Sequence, residues 1–166
     1  MPEKETIERA QKDAREGKAP SSQAGEFVRE EIKHIREGKH GARSTKQAIA
    51  IGLSKARRAG IKLAPSEKGK ASEETRTHAA RDYAKGQKPT AQTPSPRRSR
   101  AVRAALQREN KESASHTALA RQAHDSAQRR GAADRSRAAE KAVRTKGKAG
   151  LKSAARKAAR TRAAGG

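Results

Sequence analysis

Large apolar side chains are what this sequence lacks. Val, Ile, Leu, Met, Phe and Tyr together number 17 in 166 residues, and there is no Trp and no Cys. Most of the remaining apolar content is alanine, whose single methyl adds little to a core. Against these stand 41 Lys and Arg and 18 Asp and Glu, a formal net charge of +23. Burial of so few side chains cannot offset the ordering entropy of the whole chain, which excludes one compact globule of 166 residues. Low hydropathy with high net charge predicts segments that stay extended until a partner neutralises them. The absence of cysteine removes disulfides, zinc-thiolate sites and thiol nucleophiles together. No apolar run follows Met1-Pro2-Glu3-Lys4-Glu5, and no segment approaches the roughly 18 apolar residues of a membrane span. A soluble protein without a secretory signal is expected.

Charge and apolar content run in opposite directions along the chain. Residues 1–63 hold 15 basic and 9 acidic groups and 11 of the 17 large apolar side chains; residues 64–96 hold 6 and 4; residues 97–166 hold 20 and 5. The division predicted is a helical head over 1–63, a polar helix and linker over 64–96, and a strongly basic tail over 97–166. Lys88-Pro89-Thr90-Ala91-Gln92-Thr93-Pro94-Ser95-Pro96 favours polyproline conformation and reads as the linker.

Helix punctuation in the head is plain. Pro2 opens and Gly17 closes a first segment, about 3–16, whose sparse apolar face (Ile7, Ala10, Ala14) predicts fraying when alone. A second, about 22–37, places Ala24, Phe27, Val28, Ile32 and Ile35 within an arc of about 140°, with Arg29, Glu30, Lys33, His34, Arg36 and Glu37 opposite. Gly38 is its stop. Ser44-Thr45-Lys46-Gln47 is a capping box that opens a third, about 45–59, closed by Gly60 with Ile61 behind it. Ala48, Gly52, Ala56 and Gly60 recur every four residues, a stripe on which a second helix can approach closely. The second and third helices are therefore expected to pair as an antiparallel hairpin over about 22–60, with the apolar face of the first on the small-residue stripe of the second. Ile51 lies on the other side and is a candidate dimer contact, because a head this small is marginal alone. Arg15-Glu16-Gly17-Lys18 and Arg36-Glu37-Gly38-Lys39 repeat one helix-stop unit. Ser72-Glu73-Glu74 opens a fourth, polar helix to about Lys85. Beyond the linker, Ala-rich stretches near 98–110, 114–130, 132–145 and 149–163 have helix propensity but almost no apolar face, so the tail is expected to be largely disordered and conditionally helical. The fold class expected is all-α.

Catalytic chemistry finds little to stand on. His34, His40, His78, His116 and His124 show no paired ligand spacing on a helix face and no Cys completes a metal site, so structural or solvated histidines are expected, with no metal and no cofactor. The residues 38–41, Gly-Lys-His-Gly, lack the spacing and the preceding strand of a phosphate-binding loop. No enzyme and no small-molecule substrate are expected.

Polyanion binding needs only cations at a useful density, and each phosphate neutralised releases condensed counterions. The candidate contacts in the head are Arg43, Lys46, Lys55, Arg57 and Arg58. In the tail they are Arg97, Arg98, Arg100, Arg103, Arg129, Arg130, Lys146, Lys148, Lys152, Arg156, Lys157, Arg160 and Arg162. Guanidinium, the commoner cation in the tail, grips phosphate with two bonds. Duplex DNA is favoured over single strands because Phe27 belongs to the core, which leaves only Tyr83 to stack on bases.

Three resemblances bear on this. Ser95-Pro96-Arg97-Arg98, followed by Ser99-Arg100, resembles the Ser-Pro-basic-basic units of linker and sperm histones, which lie along the minor groove of A/T-rich DNA. The stretch Lys146-Gly147-Lys148-Ala149-Gly150-Leu151-Lys152-Ser153-Ala154-Ala155-Arg156-Lys157 is similar in composition to linker-histone tails. Residues 38–60, centred on Arg43-Ser44-Thr45-Lys46-Gln47-Ala48-Ile49-Ala50-Ile51-Gly52-Leu53-Ser54-Lys55-Ala56-Arg57-Arg58-Ala59-Gly60, resemble a family of small, basic, uncharacterised bacterial proteins loosely labelled as DNA-binding or plasmid-stabilisation. That resemblance implies a bacterial cytoplasmic setting and brings no catalytic residue. Lys55 stands where the family pattern commonly has an acidic residue, which favours a phosphate-facing surface on this helix. Together these readings lead to a histone-like, nucleoid-associated protein that binds and compacts duplex DNA with low sequence specificity, with self-association through the head. The alternatives are a stress- or desiccation-protective hydrophilic protein and an RNA- or ribosome-associated factor.

Overall fold

The computed structural model describes residues 2–88 and 95–164. Every regular element among them is helical, so the chain is all-α: α1 (Lys4–Arg15), α2 (Pro20–Arg36), α3 (Thr45–Arg58), α4 (Glu73–Gly86), α5 (Pro96–Gln107), a 3₁₀ turn (Glu112–Ala114), α6 (His116–Arg129) and α7 (Ala132–Ala164). The chain divides into two compact units, Met1–Gln122 and Ala123–Gly166. Neither expected boundary, at 63 or at 96, coincides with that division. Most of the expected linker, residues 89–94, lies outside the described residues.

In the first unit α2 is the central helix, packed on by α1, α3 and the 3₁₀ turn, while α4 lies along α3. The hairpin forms as its punctuation predicts. Ser44 Oγ accepts from Gln47 N, and the Gln47 side chain reaches back to the N–H of Arg43, one residue beyond the expected partner. Two core clusters fix the antiparallel sense of the pair. Ala24 and Phe27, early in α2, meet Ala56, late in α3, while Ile32 and Ile35 meet Ala48. Between them α3 crosses at Gly52, where an added Cβ would lie 2.7 Å from Val28 Cα, so a larger residue must push the helices apart. The repeated Arg-Glu-Gly-Lys unit ends both α1 and α2 in one way. Lys18 N bonds to Asp13 O and Lys39 N to His34 O, across glycines with φ of +70° and +77°. This left-handed stop satisfies the last carbonyls of each helix.

Three expectations change, and a fourth is extended. The first helix forms over the expected span and does not stand alone: Thr6 and Ala10 are buried against α2, Ile7 packs on the Phe27 cluster, and Arg9 Nε pairs with Glu26 at 2.8 Å. Its own apolar face is thin, and docking supplies what propensity does not. Glu30 and His34, placed on the polar face of α2, are buried, because the start of α1 and the loop after α2 cover that side. The side of α3 that carries Ile51 also carries Ser54 and Arg58 by helical phase. Both bond to Asp82 of α4, so α4 occupies the side on which a second copy was expected. Finally, the expected disorder of 97–166 is replaced by helices. The beginning of that segment even docks on the head: Gly41 N donates to Leu106 O, Ala42 N to Asn110 O, Arg36 Nε to Ala114 O and Thr45 Oγ1 to Ser113 O. Ala114 is fully buried in the Ile35 cluster, against which Leu119 also packs.

In the second unit, α7 is two helices merged across Gly147, whose φ of 62° and ψ of 177° break the helical path between the expected 132–145 and 149–163 stretches. Nearly every described side chain of α7 is exposed. No helix of the described residues is long and apolar enough to cross a membrane.

Candidate functional site

Two arrangements of charge stand out, one buried and one exposed. The buried one lies on α2 between the two apolar clusters. Glu30 and Glu31 are 1% and 0% exposed, a burial that carboxylates tolerate only with compensation. The single ammonium facing both is Lys55 of α3, 2.6 Å from Glu31 Oε2 and 3.7 Å from Glu30 Oε1. Glu31 Oε2 has this ion pair as its partner, whereas Glu31 Oε1 and Glu30 Oε1 accept no hydrogen bond. Glu30 Oε2 does better, accepting the backbone N–H of Glu3 at 3.1 Å.

Two imidazoles close the pocket. His34 Nε2 is 2.8 Å from Glu3 Oε1, which also receives Lys39 Nζ at 3.2 Å. These bonds, the His34 one foremost, hold the Glu3 carboxyl down at about 2 from its ordinary 4.5, and Glu3 in turn raises the Lys39 ammonium. An ionised carboxylate can only accept, so His34 Nε2 carries a hydrogen and Nδ1 is the nitrogen left facing Glu30 Oε1, at 3.9 Å. His40 Nδ1 lies 3.1 Å from the carbonyl of Gly41, which likewise only accepts. That leaves His40 Nε2 toward Glu31 Oε1, at 3.4 Å. One ligand atom each from Glu31, His34 and His40 lie within 4.8 Å of one another. Sequence spacing hides this set. His34 is in the last turn of α2, His40 lies beyond the Gly38 stop, and Glu31 looks like one more surface carboxylate on a charged helix.

The exposed arrangement is cationic. Of the head residues expected to face phosphate, Arg43 and Lys46 at the start of α3 are exposed. The other three are engaged. Lys55 turns inward to Glu30 and Glu31; Arg58 Nε binds Asp82 at 2.8 Å; Arg57 Nε donates to Leu63 O, and burial lowers its pKa against the pull of Asp82. In α5, Pro96 is the first helical residue, so the Ser-Pro-Arg-Arg motif is a helix start, with Arg97, Arg98, Arg100 and Arg103 all exposed along it. Arg129, Arg130, Lys146, Lys148, Lys152, Arg156, Lys157, Arg160 and Arg162 are exposed too. The tail ion pair of Arg137 with Asp134 involves none of these cations. After Glu140 the sequence holds nine basic residues and no acidic one. On the helix beyond Gly147, Lys148, Lys152, Arg156, Arg160 and Arg162 fall within an arc of about 160°, and the first four advance about 6 Å per step.

A family model described as a family of unknown function (DUF6496) matches residues 15–68. The matched stretch holds the α2–α3 hairpin with Glu30, Glu31, His34, His40 and Lys55, and stops short of α4 to α7. No curated protein and no solved structure matches the chain.

Proposed function

We propose that this is a histone-like, nucleoid-associated protein that binds duplex DNA with little sequence preference, through the phosphate contacts of two cationic helices, α5 in the first unit and α7 in the second. The observation that carries this reading is the run of nine basic residues after Glu140 with no acidic one among them, exposed on the two helical parts of α7 and, among the described residues, without a carboxylate ion pair. Like charges at four-residue intervals repel by about 0.2–0.5 kcal/mol per pair in an isolated helix. Phosphates along a duplex remove that repulsion and release their own counterions. Charge needed for solubility alone amounts to a few units, far below +23. Stacking on unpaired bases has little to work with, since Phe27 is buried and Tyr83 is half-buried. Of α3, only Arg43 and Lys46 at its start remain to reach DNA, which fits phosphate contact better than base reading.

Fluorescence anisotropy of a labelled mixed-sequence duplex titrated with the full chain at 50 and 200 mM salt tests this. Six phosphate contacts predict a loss of affinity of about a thousandfold across that range. A flat response, or structured RNA displacing duplex DNA at equal phosphate concentration, overturns the reading.

A further inference from the structure

We infer that Glu31, His34 and His40 form a binding site for one divalent transition-metal ion of the zinc class, with Glu30 beside it, joining the last turn of α2 to the loop that follows. The inference does not rest on DNA binding, and either can fail without the other.

The unsatisfied oxygens carry it. Glu31 is wholly buried; its Oε2 is met by the Lys55 ammonium alone, and its Oε1 accepts no hydrogen bond. Groups in that state are rare in folded proteins and call for a partner. Lys55 provides one fixed positive charge for two carboxylates, so with both rings in the neutral form that binds a metal the pocket retains a negative charge.

The histidines point the same way. Each has its outer nitrogen fixed by an acceptor, His34 by the Glu3 carboxylate and His40 by the Gly41 carbonyl. Each is left with its inner nitrogen facing a buried carboxylate oxygen, at 3.9 Å and 3.4 Å, and in the neutral ring that nitrogen presents a lone pair. One metal ion between them, in place of two ring protons, satisfies both. Imidazoles oriented by an outer carboxylate or carbonyl are the usual support of a zinc ligand set. The ligand atoms all lie within 4.8 Å of one another, against roughly 3.3 Å between ligands of a tetrahedral zinc. Closing that gap requires a shift of at most about 1.5 Å, within reach of side-chain rotation at His40 on the loop. Two imidazoles with a carboxylate and no thiolate select zinc-like ions over magnesium and calcium, which prefer all-oxygen sites.

The test titrates chelator-stripped full-length protein with zinc chloride by calorimetry in the presence of millimolar magnesium. One zinc per chain is expected, with a Kd near or below about 1 µM. His40→Ala should weaken it on the order of a hundredfold. A control carrying His78→Ala and His124→Ala, at exposed histidines, should bind as the parent does. Nitrogen-15 spectra of the unmodified protein need no variant: zinc should move His34 Nδ1 and His40 Nε2 and leave the rings of His78, His116 and His124 in place. The midpoint of thermal unfolding should rise by about 10 °C at a hundredfold excess over Kd. Absence of stoichiometric zinc binding, equal binding by the His40→Ala variant, or ring shifts confined to the surface histidines would overturn the site. So would rings that respond to protons and not to zinc, which would make the cluster an ion-pair network.

Discussion

The two compact units handle the same kind of charge in opposite ways. Residues 1–122 hold 28 basic and 15 acidic groups, and residues 123–166 hold 13 and 3. In the first unit charge is structural. Arg9 ties α1 to Glu26, Arg58 ties α3 to Asp82, Lys39 ties the end of α2 to Glu3, and Lys55 sits against two buried carboxylates. In the second unit most cations find no carboxylate and almost nothing is buried. A core of alanines, a few isoleucines and one phenylalanine is enough where ion pairs and close backbone approach supplement it. A helix with neither is held only by its own backbone bonds, a marginal state in water.

The contrast can be probed by four changes. The largest effect on DNA binding is expected from replacing Lys148, Lys152, Arg156 and Arg160 together by Gln. Duplex affinity at 0.1 M salt should fall on the order of a hundredfold or more, and the salt slope by about 3–4, while the melting of the first unit stays unchanged. Next comes Lys55→Met. With no ammonium beside Glu30 and Glu31, the first unit should lose about 3–5 kcal/mol in urea unfolding, and zinc should restore part of that loss. Gly52→Val should cost about 1–3 kcal/mol by forcing α3 away from Val28, with no effect on the second unit. The smallest effect is acid release of α1. Glu3 is held at about 2 in the folded state against 4.5 unfolded, a lowered value, so its contribution is complete above pH 4.5 and is lost as pH falls from 4.5 toward 2. Amide exchange in α1 measured across that window should speed up before exchange in α3 does.

Local signals announced much of the first unit. The Ser44 cap, the glycine stops at 17, 38 and 60, and the stripe of Ala48, Gly52 and Ala56 are chemistry within one or two turns, and each appears where its spacing predicts. What the sequence concealed depends on segments far apart in the chain. Glu30 and His34 look solvent-facing by periodicity and are buried because Glu3 and the loop after α2 fold over them. The docking of 106–114 on residues 36–45 runs through backbone carbonyls, which leave no residue pattern to recognise. Composition misled at the tail. Scarce apolar groups argue against a core there, but alanine-rich segments can be helical without one.

The division of labour between the two units is tested most directly by hydrogen–deuterium exchange of the full chain, read by mass spectrometry with and without duplex DNA. Slow exchange of α2 and α3 is expected under both conditions, together with fast exchange of α7 alone that slows when DNA is added. Unprotected α2 and α3 in the free protein, or α7 amides that ignore the duplex, would contradict it.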